Sequence, residues 1–100
     1  MNINITSDGT KATLAVEGKL TVQTAPDLEA AVMALDTSLR DIDIDLSAVD
    51  YVSSAGLRVF VKSTKLAEHR GGTLRLLHPI DDVVEVLKMT GLYDVLVVVR

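Results

Sequence analysis

Ile3 and Ile5 fall on one side of an alternating segment, Ser7-Asp8-Gly9 supplies turn chemistry, and Ala12, Leu14 and Val16 then alternate with Thr13, Ala15 and Glu17. The pattern predicts a β-hairpin, broken at Gly18. From Thr24-Ala25-Pro26-Asp27 the period changes. Thr24 suits a helix cap, Pro26 is tolerated in a first turn and Asp27 complements the positive end of the dipole. Leu28, Ala31, Val32 and Leu35 form one stripe, so a helix is expected from about Ala25 to about Leu35.

Asp41-Ile42-Asp43-Ile44-Asp45-Leu46 alternates strictly, which predicts a strand with Ile42, Ile44 and Leu46 on a covered face and its carboxylates turned to water. Val49, Tyr51 and Val52 follow, then Ser53-Ser54-Ala55-Gly56. A second helix is expected through about Arg70, with Leu57, Phe60, Val61, Thr64 and Ala67 inward and Gly71-Gly72 as its stop. Thr73 to Leu77 reads as a strand ended by His78-Pro79. A third helix from about Asp81 carries Val83, Val84, Val86 and Leu87; Gly91 closes it, and Val95 to Val99 is the last strand. A hairpin followed by alternating helices and strands implies parallel strands joined by right-handed crossovers. The expected fold is one α/β domain over residues 1–100, with a mixed, mostly parallel sheet of about five strands and about three helices mainly on one face.

The chain has 100 residues and 48% apolar composition, enough for one core without staples. Its net charge of −4, with no basic run, argues against nucleic acid as a partner. There is no cysteine, and His69 and His78 lack the spacing of a ligand pair, so no metal and no cofactor are expected. No basic segment followed by a long apolar stretch opens the sequence, and Val95 to Val99 is too short to span a bilayer. A soluble, cytoplasmic protein with no membrane partner, monomeric when free, is the expectation.

Candidate chemistry sits between Asp45 and Leu57. The chain leaves a strand end through small residues and enters a helix directly, placing Ser54 at or next to the cap beside exposed amide donors. Ala55 and Gly56 are small enough to leave the hydroxyl open. A phosphate there would meet free amides and the positive end of the helix dipole, so modification need not unfold the domain. Taken alone, a serine before a helix is most simply a cap. The strand-end position adds weight to a binding role, because open α/β sheets present ligand surfaces at that edge.

This stretch, Asp45-Leu46-Ser47 through Tyr51 to Ser53-Ser54-Ala55-Gly56-Leu57, resembles the signature of STAS domains, specifically bacterial anti-sigma-factor antagonists. Gly18-Lys19-Leu20 ahead of Thr24-Ala25, and Met89-Thr90-Gly91-Leu92 ahead of the last strand, agree in order and spacing. The resemblance spans essentially the whole chain. It implies a non-enzymatic partner switch: unphosphorylated antagonist binds an anti-sigma factor that is also a serine kinase and frees a sigma factor. The kinase then phosphorylates the antagonist, and a serine phosphatase reverses this. Ser54 matches the phosphoacceptor, with Ser53 as a competing position. Thr21, Thr24, Ser53, Ser54, Ala55, Gly56, Arg58 and Lys62 are the expected partner contacts. Two positions depart from the family pattern, since Ser53 and Thr21 stand where Asp is common. The same resemblance admits a non-sigma target, or an accessory subunit of a lipid transport complex; retention of Ser54 argues against the latter.

Other features have plainer readings. Arg58, Lys62, Lys65 and His69 share an outer helix face, either solvated or a docking stripe for an acidic surface. Asp41 and Asp43 read as a solvated sheet face, and Asp45 either orders the following turn or is simply exposed. Tyr51 and Phe60 read as core residues in a chain with only three aromatics. No paired acid and base or Gly-rich phosphate loop suggests an enzyme.

Overall fold

The computed structural model describes residues 1–100. Its elements are β1 (Asn2–Asp8), β2 (Lys11–Leu20), α1 (Ala25–Met33), β3 (Asp41–Val52), α2 (Ser54–His69), β4 (Leu74–Leu77), α3 (Asp81–Met89) and β5 (Val97–Val99). The five strands lie in chain order; β1 and β2 are antiparallel, and every later pairing is parallel. One helix bridges each parallel step, and successive crossovers of one hand stack all three helices on the same face.

That face holds the core. Ile5, Leu14, Ile44, Leu76 and Val98 form a row of register partners across the sheet, and Leu28, Val32, Phe60 and Leu87 from the three helices join Leu14, Ile44 and Leu76 in one buried cluster. The α1 stripe is as expected, with Leu28 and Val32 buried and Leu35 still packed beyond the helix end. In α2 the inward side is Leu57, Val59, Phe60, Ser63 and Ala67; Val61 and Thr64 are only half-buried. The strand expected from Val95 begins at Val97, and Val95 itself faces solvent. After α2 the chain squeezes past Arg40, where a Cβ on Gly72 would collide with the Arg40 carbonyl.

Two expectations about β3 are corrected. The Asp43 side chain does not face water: it is 3% exposed, lying on the helix-free face between Thr13 and Arg75. The Arg75 guanidinium grips both its oxygens, Nε at 2.9 Å from Oδ1 and Nη2 at 2.7 Å from Oδ2, and the Lys11 ammonium lies 3.0 Å from Oδ2. Burial alone would raise the Asp43 pKa, but the hydrogen bonds and charges of Arg75 and Lys11 outweigh it and hold the carboxyl below the ordinary 3.8. Tyr51 is likewise not core; it is 49% exposed, whereas Phe60 is fully buried.

The reason for Tyr51 is that β3 runs for 12 residues and contains two bulges. Between the pairs Ala15↔Asp45 and Glu17↔Ala48, β3 advances one residue more than β2, and it does so again between Gly18↔Val49 and Lys19↔Tyr51. Each extra residue flips the alternation. Buried positions therefore run Ile42, Ile44, Leu46, then Val49, then Val52, and Tyr51 is turned outward. Asp45 stabilises the first bulge, its Oδ1 accepting the Ser47 amide at 2.9 Å. Asp45 is thus neither simply exposed nor beside the serine turn: it is half-buried within β3, and the backbone it orders is the bulge at Ser47, not the turn at Ser53 and Ser54.

Candidate functional site

The second bulge delivers β3 to Val52 with one residue, Ser53, before α2 begins. Ser53 has extended backbone angles and occupies the cap position, where its Oγ accepts the Gly56 amide at 3.2 Å. It is 9% exposed. Its own amide donates to the Leu20 carbonyl at 2.8 Å, which ties the start of α2 to the end of β2. Ser54, the first residue of the helix, is exposed, and its hydroxyl has no hydrogen-bond partner within the chain. Capping and presentation are thus divided between the two serines.

Gly56 serves packing rather than openness. A Cβ there would meet Val52 Cγ1 at 3.0 Å and Leu20 Cβ at 3.1 Å, so the missing side chain lets the first turn of α2 settle on the β2 and β3 ends. Being buried, Gly56 shapes the expected contact surface from beneath. Ala55 remains half-exposed beside Ser54.

The neighbouring β2–α1 loop is ordered by two threonines. Thr21 Oγ1 accepts the amides of Gln23 and Thr24, each at 3.2 Å; Thr24 Oγ1 accepts the Thr21 amide at 2.8 Å and donates to the Lys19 carbonyl at 2.6 Å. Thr24 stands at the cap position of α1 but makes no capping bond, because its side chain is committed backward to this loop. That corrects its reading as a helix cap. Positions 21 and 53 share one feature: each side-chain oxygen accepts backbone amides, a role in which Asp, Ser and Thr substitute for one another. The two departures from the family pattern therefore keep the acceptors and remove the charge.

Beside Ser54, the crease between α1 and α2 is lined by Val22, Pro26, Glu29, Ala55, Arg58 and Lys62, and continues along Val32, Met33 and Leu66. Lys62 bridges it to Glu29 at 3.0 Å. Arg58 is exposed and has no ion-pair or hydrogen-bond partner in the chain. Val22, 65% exposed, and Met33, 67% exposed, add apolar surface that the sequence reading did not single out. The available signal was Val22 itself, an apolar residue between Thr21 and Gln23 in a loop. Lys65 and His69 lie farther along the same solvent-facing side of α2. No helix of the chain is long and apolar enough to cross a membrane.

A family profile described as "Mlab, STAS domain" matches residues 3–99. The anti-sigma-B factor antagonist of Staphylococcus aureus (strain NCTC 8325 / PS 47) is 31% identical over 97 residues, covering 96% of this chain and 90% of that protein. Among solved structures, a Thermotoga maritima protein described as a candidate anti-sigma factor antagonist superposes with a TM-score of 0.89 at 22% identity, over 98% of this chain and 86% of that one. The Bacillus cell fate determinant SpoIIAA in its phosphorylated form gives a TM-score of 0.76 at 14% identity, over 99% of this chain and 92% of its own.

Proposed function

This chain belongs to the STAS domain family, and we propose that it acts there as an anti-sigma-factor antagonist, itself not an enzyme, switched off by phosphorylation of Ser54. The observation that carries the reading is the division of labour at the start of α2: Ser53 is consumed by the cap, and Ser54 is left exposed and unpartnered on a rigid turn. Ser53, 9% exposed with its oxygen engaged, is the poorer acceptor of the two.

The unphosphorylated surface, formed by Ser54, Ala55, the Thr21–Thr24 loop, Arg58 and Lys62, binds an anti-sigma serine kinase and frees the sigma factor. Within that complex Ser54 Oγ attacks the γ-phosphorus of ATP held by the kinase. The new O–P bond forms as the bond to the ADP oxygen breaks, and the hydroxyl proton passes to a kinase base. A serine phosphatase returns the hydroxyl by hydrolysis, releasing inorganic phosphate. The chain's contribution is position, since Gly56 and the Ser53–Leu20 bond fix the turn that presents the nucleophile.

Phosphorylation adds about −1.5 to −2 charges at pH 7 where a neutral hydroxyl stood. A partner surface fitted to that hydroxyl then faces bulk and an unpaired charge. A loss of about 3 kcal/mol corresponds to somewhat over a hundredfold in affinity, enough for release.

The test is titration calorimetry against the cognate kinase, with phosphosite mass spectrometry on the kinase-treated chain. Ser54→Ala should bind like wild type and take up no phosphate, and Ser54→Asp should bind at least tenfold more weakly. Equal affinity for both variants, or phosphate found on Ser53 alone, would refute the assignment.

A further inference from the structure

We propose that Arg58 is the internal partner of phosphorylated Ser54: one helical turn along α2, its guanidinium closes on the phosphate and leaves the α1–α2 crease. The inference rests on Ser54 being the phosphoacceptor and concerns what the chain does with the charge once it is there. Ser54 and Arg58 are four residues apart on a regular helix, a spacing at which side chains are surface neighbours. Both are exposed and neither has a partner. A planar guanidinium can donate two parallel hydrogen bonds to phosphate oxygens, a geometry that an ammonium does not offer.

The other charges on elements meeting this end of α2 are already engaged or of the wrong sign. Lys19 and Asp50, at the ends of β2 and β3, hold each other at 3.2 Å. Lys62 is held by Glu29 of α1 at 3.0 Å. Asp27, in the first turn of α1, is a carboxylate. Arg58 is therefore the one uncommitted cation at the mouth of the site.

The consequence is a switch with two effects. In the unphosphorylated chain Arg58 lines the crease with Val22, Pro26 and Glu29 and is available to an acidic group of a partner. When the phosphate arrives, that cation is drawn to it. The partner meets a new negative charge and loses a positive one.

The test uses the 100-residue chain with phosphoserine built in at position 54 during translation, so that it needs no kinase. Phosphorus NMR titration reads the second pKa of the phosphate, about 6 when unpaired. Pairing with Arg58 should hold it about half a pH unit lower in the parent than in Arg58→Gln, with Arg58→Lys between them and Lys62→Gln like the parent. Raising salt should shrink the difference. Superimposable titrations for the parent and Arg58→Gln would overturn the pairing. Phosphate placed elsewhere by the kinase would overturn the functional reading and leave this measurement intact, so the two failures are separable.

Discussion

The Ser53 hydroxyl accepts the Gly56 amide at 3.2 Å, and this bond divides two adjacent serines into one that holds the helix and one that is free. Removing a capping hydroxyl costs about 1 kcal/mol, within a range of roughly 0.5 to 2. Ser53→Ala should therefore lower unfolding free energy by about that amount in urea melts, while Ser54→Ala, on an exposed unpartnered side chain, should stay within about 0.5 kcal/mol of wild type. Ser53→Asp should keep full stability, because Asp caps about as well as Ser. A destabilised Ser54→Ala with an unaffected Ser53→Ala would reverse the assignment of the cap.

Gly56 and Gly72 are both in close quarters, and they differ in what surrounds them. At Gly56 the obstacles are the buried side chains of Val52 and Leu20, at 3.0 and 3.1 Å from a built Cβ. Alanine gains about 1 kcal/mol of helix propensity there but forces both neighbours to yield, which typically costs 1–3 kcal/mol. Gly56→Ala should be mildly destabilising, by roughly 1 kcal/mol, and should move Ser54 outward with the first turn. At Gly72 the obstacle is the Arg40 backbone, which cannot rotate away. Gly72→Ala should cost several times more, and chemical denaturation of the two variants side by side checks the order.

Asp43 gives the fold an acid dependence. Its pKa is depressed in the folded chain, so its stabilisation is complete above the unfolded value of 3.8 and is lost as pH falls through the lower folded value. Asp43→Asn removes that loss, and stability measured from pH 5 downward should fall less steeply than in wild type. At pH 7 the variant should be weaker by about 1–3 kcal/mol. The cost stays below that of stranding a buried charge because the Lys11 and Arg75 side chains, 42% and 37% exposed, can turn to water. A variant with an unchanged acid limb would show that the ion pair does not set it.

The parts of this fold that were legible in the sequence are those set by local period and local chemistry. Alternation around Leu14 and Ile44 placed the first strands, and the stripe through Leu57, Phe60 and Ala67 placed α2. What escaped depends on partners far along the chain. Asp43 is buried because Arg75, 32 residues later, lies beside it on β4. Thr24 abandons the cap because Lys19 and Thr21 engage its hydroxyl. Ser54 was expected at or next to the cap and stands next to it; the choice of Ser53 for the cap itself, left open by the sequence, follows from β3 persisting to Val52 through its pairing with β2.

Tyr51 and Phe60 put the bulges of β3 to a direct test. Alternation continued unbroken from Leu46 would bury Ala48, Asp50 and Val52; one extra residue would bury Val49 and Tyr51; two bury Val49 and Val52 and expose Tyr51. Phe60, fully buried, should cost about 3–5 kcal/mol when cut to alanine. Tyr51→Ala should cost under about 1 kcal/mol, since half its surface is already in water. Tyr51 lies across the ladder from Lys19 and two residues before Ser53, at the rim of the proposed contact surface. Rim residues exclude water but carry little of the binding energy, so the same variant should keep its affinity for the kinase within about fivefold of wild type. Loss of stability comparable to that of Phe60→Ala would place Tyr51 in the core and remove the second bulge from the account of how Ser54 is presented.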